Sequence, residues 1–172
     1  MTPSMKVFIP LLEIAAALFA MHRWKAKRGE DFALAVPAAG PLILWVGLFA
    51  AWMLASNFAW HWRGPWDFSV WKRASLLHDA GRVLAVGMLG PVGEELIFRG
   101  FFYRVIERTR AGWTVAIFVT AVAWACLHIQ ESWAVILLFF VDGLLLGLAR
   151  HYAKSVWVPA AMHIVWNLFA VW

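Results

Sequence analysis

"GPVGEELIFRG", residues 90–100, is the stretch on which the reading of this chain turns. It lies inside an apolar segment running from Val83 to Phe102, yet it carries Glu94 and Glu95 side by side and then Arg99. An ionisable side chain in hydrocarbon costs about +2.5 to +3.5 kcal/mol on insertion scales, so such residues face a bundle interior and mark function. Composition says that hydrocarbon is the right solvent. Hydrophobic residues make up 63% of the 172 residues and charged residues 15%, against about 45–50% and about 25% in soluble proteins. A soluble core of this size has no room for so much apolar surface. The 13 Trp suit interfacial aromatic belts. The net charge of +5 reads as loop bias rather than nucleic-acid binding. The single cysteine, Cys126, excludes an intramolecular disulfide and a Cys-based zinc site.

Working outward, apolar segments fall at about 5–22, 37–60, 76–104, 113–129, 133–149 and 155–172. Each is near the ~20 residues needed to cross a bilayer. The expectation is an all-α fold: one polytopic membrane bundle of about six transmembrane helices, residues 1–172 forming a single integral-membrane domain in the lipid bilayer. Gly90-Pro91 predicts a kink or a break of the third segment into two helices. Glu13 inside the first apolar run argues for an anchor helix over a signal peptide. Loops one, three and five hold Arg23, Lys25, Lys27, Arg28, Arg104, Arg108, Arg110, Arg150 and Lys154, whereas the other side holds Lys6, Arg63, Lys72 and Arg73. Nine against four places both termini outside the cytoplasm.

Spacing sorts the buried polar residues. Glu95 and Arg99 are four apart with Glu first, so they meet on one helix face and neutralise each other. Glu94 is turned about 100° away. It has no helical salt-bridge partner, which suits a general base, although a structural Glu–Arg pin between helices explains the same motif. His163 and Asn167, in "MHIVWN", share one face of the last helix; interhelical hydrogen bonding is the bland reading. His128 closes the fourth helix in "WACLH", where a cap is the ordinary role. At ~1.5 Å per residue, Glu94, His128 and His163 all come to the middle of a ~30 Å core, which permits one shared polar pocket. Asp142 is expected to bond a neighbouring helix. Glu13, and Asp79 with Arg82, read as interhelical or interfacial pairs. Cys126 and His128 are two apart and point away from each other.

The order of these motifs resembles the CPBP family of intramembrane proteases, the group of the CAAX prenyl endopeptidase of the Ras-converting type and the bacterial Abi-type proteins. "EELIFR", then "WACLH", then "DGLLLGLARHYAKSVWVPAAMHIVWN" carry the resemblance over about residues 90–167. Gly143, Gly147, Ser155, Trp157 and Pro159 lead into the final His-x-x-x-Asn. Trp124 stands where the family more often has Phe, and the chain is shorter than the eight-helix prenyl endopeptidases.

The resemblance implies a glutamate-dependent endopeptidase with no cofactor. Glu94 and His128 would activate a water, His163 and Asn167 would hold the oxyanion, and Glu95 with Arg99 would fix the geometry. It implies a membrane-anchored protein or peptide substrate, either a prenylated C-terminal peptide or, favoured by the short chain and outward termini, a C-terminal hydrophobic sorting anchor. A bacterial inner membrane is the expected location. Zinc is the mechanistic rival, with Glu94, His128 and His163 as ligands and Glu95 as base, but no HExxH motif is present. A non-catalytic membrane scaffold or immunity protein, and an ion or proton carrier, are the rival classes.

Overall fold

In the computed structural model the described residues are 3–29, 31–62 and 76–171. They form six helices: α1 (Pro3–Arg28), α2 (Ala39–Trp60), α3 (76–107), α4 (Gly112–Cys126), α5 (Trp133–Ala153) and α6 (Trp157–Val171). The fold is therefore all-α, as composition predicts. Two helices, α2 and α5, are by themselves long and apolar enough to cross a membrane.

Helix ends follow local chemistry. Lys25, Lys27 and Arg28 fill the last turn of α1, where cations meet the negative end of the helix dipole. Gly29 then takes a left-handed φ of 65° and donates its N–H to the Lys25 carbonyl at 2.8 Å, which ends the helix as a left-handed glycine does. In α6, Ser155 Oγ accepts the Trp157 N–H at 3.3 Å, and Pro159 sits in the first turn, where its missing N–H is harmless.

Helix α3 does not break at Gly90-Pro91. It runs on in right-handed helical geometry through two seven-residue π-helical stretches, Val83–Leu89 and Leu96–Phe102, on either side of the α-helical Gly90–Glu95. In the first stretch the Gly90 N–H reaches back five residues to the Ala85 carbonyl. The next donor in that register is Pro91, which has none, so the Val86 carbonyl is passed over. Asn167 of α6 takes it, donating Nδ2–H at 2.9 Å. The proline's lost bond is answered from a neighbouring helix, and in place of a break into two helices the chain takes a wider turn.

Helices α1, α4 and α6 pack on α3, while α2 packs on α6 and α5. Small residues bring α4 and α5 close: a Cβ on Gly143 would lie 3.0 Å from the Ala121 Cα, and one on Gly147 2.8 Å from the Ile117 Cγ2. An aromatic core of Phe49, Trp62, Phe139 and Trp166 joins α2, α5 and α6, with Trp62 and Trp166 stacked at 4.3 Å. The α1–α2 connection crosses the foot of α6. There Val156 donates its N–H to the Ala33 carbonyl, Ser155 Oγ bonds the Ala35 carbonyl and Trp157 Nε1 bonds the Leu34 carbonyl, at 3.0, 2.8 and 2.8 Å. At the same end Trp113, opening α4, stacks on His151 near the close of α5 at 4.3 Å. The three basic connections thus share one end of the bundle.

Candidate active site

Glu95 and Arg99 are fully buried on α3. Arg99 Nη1 donates to Glu95 Oε1 at 2.8 Å, and His163 Nδ1 of α6 lies 3.0 Å from the same oxygen. A carboxylate oxygen only accepts, so His163 carries the proton on Nδ1 and turns Nε2 away. Arg99 Nη2 also donates to the Gly143 carbonyl of α5 at 3.2 Å. Glycine leaves room for this approach: a Cβ at 143 would stand 3.3 Å from that nitrogen, tighter than ordinary contact. The expected Glu95–Arg99 pair is present and gains a third member in His163.

Glu94, one residue earlier, is half-buried and makes no ion pair among the described residues. Its Oε2 accepts the indole N–H of Trp124 at 2.5 Å. Trp124 stands on α4 with 2% of its surface exposed. Around its ring are His128 at 5.4 Å, His163 at 5.1 Å and the Arg99 guanidinium at 5.1 Å. Helix α4 ends at Cys126, earlier than the sequence suggests, and His128 lies in the closing turn. Its N–H caps the Ala125 carbonyl at 3.0 Å, and its Nδ1 lies 3.3 Å from the Trp124 carbonyl.

Five of the six expected site residues, Glu94, Glu95, Arg99, His128 and His163, thus gather around Trp124. Asn167 lies one turn beyond His163 and is bonded to the Val86 carbonyl. Residues 76–169 match the family described as type II CAAX prenyl endopeptidase Rce1-like. The chain belongs to this Rce1-like family. The matched region spans α3 to α6 and holds all six residues. Membership implies a protease, hence a hydrolase acting on protein, and with the apolar helices an integral membrane one. No curated protein and no solved structure matches the chain.

Other polar residues sort themselves against this Rce1-like centre. Asp142 Oδ1 accepts the Trp52 indole N–H at 2.7 Å, the interhelical bond expected of it. Glu13 does not fit the pair expected of it. It packs beside Gly93, where a Cβ would stand 3.3 Å from its Oε2, and the charge it faces is Glu94, of the same sign. Asp79 and Arg82 lie in the opening turns of α3, ahead of the first π stretch. Among the described residues no three His, Cys, Asp or Glu side chains are placed to hold a metal ion, so Glu94, His128 and His163 do not form the three-ligand set that zinc needs. Sequence reasoning missed Trp124. Its only signal was the exchange of Phe for an aromatic ring with a donor.

Proposed function

We propose that the chain is a glutamic-type intramembrane endopeptidase that cleaves a peptide bond beside the C-terminal hydrophobic anchor of a membrane-associated protein. The reading rests on one contrast. Glu95 is paired with Arg99 and hydrogen-bonded to His163, whereas among the described residues the adjacent Glu94 is bonded only to a neutral indole. One carboxylate serves structure and the other is free for proton transfer.

In this scheme Glu94, aided by His128, accepts a proton from water. The hydroxide adds to the scissile carbonyl carbon. The oxyanion is held by the Nε2–H of His163, which must carry a proton on both ring nitrogens at this step, and by the amide hydrogen of Asn167 not engaged with Val86. The C–N bond then breaks, and the proton on Glu94 passes to the leaving amine. Glu95 and Arg99 hold His163 in place. No metal or other cofactor takes part. The remaining elements of the proposal are one domain over 1–172, six membrane spans, both termini outside the cytoplasm and a bacterial inner membrane. Within this reading the outward placement of both termini favours a sorting anchor over a prenylated peptide.

The test is cleavage of an anchor-bearing substrate in proteoliposomes by Glu94→Gln. An amide cannot take the proton, and loss of a general base costs about 10²–10⁴-fold. Near-normal turnover by the folded variant rejects the reading.

A further inference from the structure

The base needs orientation as well as freedom from a salt bridge, and the side chain that touches it is Trp124. An indole has one N–H donor and no acceptor. When buried, that N–H must find a partner, and here it finds the Glu94 carboxylate rather than a main-chain carbonyl. The ring cannot turn to choose another. Phe139 meets it edge-on at 5.8 Å, His128 and His163 do the same at 5.4 and 5.1 Å, and the Arg99 guanidinium lies over it. The donor is therefore a fixed dipole aimed at one carboxylate oxygen.

We propose that Trp124 is the positioning residue of the general base: its indole N–H occupies Glu94 Oε2 and leaves Oε1 as the oxygen that receives the proton from water. This rests on the reading of Glu94 as base. An indole N–H does not give up its proton at working pH, so the oxygen it holds stays an acceptor of that bond throughout the reaction. The carboxylate is kept from rotating, and its free oxygen keeps one direction relative to His128 and His163. A preorganised donor of this kind does its work before the substrate arrives.

A purely structural Trp124 predicts something different. In that case the ring fills the space between α3, α4, α5 and α6, and Glu94 merely satisfies a buried N–H. Trp124→Phe separates the two, since it keeps most of the ring and removes the donor. We expect kcat to fall by about 10- to 100-fold, the scale of a misplaced reacting group, with KM changed by about twofold or less. In the Glu94→Gln background the same change should add nothing to the loss, because there is no base left to orient.

A spectroscopic readout stands apart from activity. The indole 1H–15N resonance that disappears in Trp124→Phe should move upfield in Glu94→Gln, as a charge-assisted bond becomes a neutral one. Should Trp124→Phe fail to fold, 3-benzothienylalanine at 124 replaces only the N–H by sulfur and gives the same kinetic test. Wild-type kcat in the donor-less variant, or an indole resonance indifferent to Glu94→Gln, overturns the proposal. Normal turnover by Glu94→Gln instead overturns the assignment of the base itself, so the two failures are distinguishable.

Discussion

Arg99 is tied on two sides, to Glu95 on its own helix and to the Gly143 carbonyl on α5, and it is fully buried. Removing one partner of such a pair strands the other charge, at a cost of about 3–5 kcal/mol. Arg99→Gln should therefore lower the thermal stability of the detergent-solubilised protein sharply as well as its activity. Arg104→Gln is the control. Its pair with Glu107 at 2.9 Å is partly exposed, and such pairs contribute about 0–1 kcal/mol. Equal stability of the two variants would refute the structural role given to Arg99. The Glu95–Arg99 contact was legible in the sequence because four-residue spacing is a local rule. The third partner was not, since His163 is brought to Glu95 by the packing of α6 on α3. Trp124 was hidden for the same reason: an indole that bonds a carboxylate on another helix looks, in a sequence, like any other core aromatic.

At the scale of the helix, the six apolar segments and most of their ends could be read from composition and periodicity. The π stretches could not. Spacing arguments assume 3.6 residues per turn, and nothing in "VLAVGML" or "LIFRGFF" announces a wider one. Gly90-Pro91 pointed to the right place, but the helix continues there through a wider turn instead of breaking in two. Asn167 exposes the difference, since in the structure it answers a main-chain carbonyl, whereas the proposed reaction also calls on it at the oxyanion. Asn167→Ala should cost about 1–3 kcal/mol for the stranded carbonyl and about 10²–10³ in kcat for a lost oxyanion donor. Adding Pro91→Ala supplies a main-chain N–H for Val86. The double variant should regain stability and stay inactive. If it regains activity instead, Asn167 has no part in the chemistry. A second prediction concerns the α4–α5 contact. Gly143→Ala should push these helices apart and cost about 1–3 kcal/mol. Gly40→Ala, at a position with no atom within 4 Å, should leave thermal stability unchanged. A tolerated Gly143→Ala would mean that the close approach to Arg99 is dispensable.

The whole molecule places a short family core, α3 to α6, beside two further helices, with α1 packed against the segment that carries Glu94. Composition settled the class of solvent and the all-α architecture, and motif order settled the family. Neither could show how the α1–α2 connection is strapped to Ser155 and Trp157, because those bonds run to main-chain carbonyls that any residue could offer. If Glu94 and His128 activate water directly, proteolysis in liposomes should survive exhaustive chelation and respond to no added ion. Loss on chelation with recovery by zinc alone would return the metalloprotease reading.

The bond from Asn167 to the Val86 carbonyl also makes two distant positions interdependent. With Pro91 in place, a residue at 167 that has no donor leaves the Val86 carbonyl without this partner. With a main-chain N–H at 91, the same exchange no longer carries that cost to the helix. The first helix of the family core and the last cannot be redesigned one at a time.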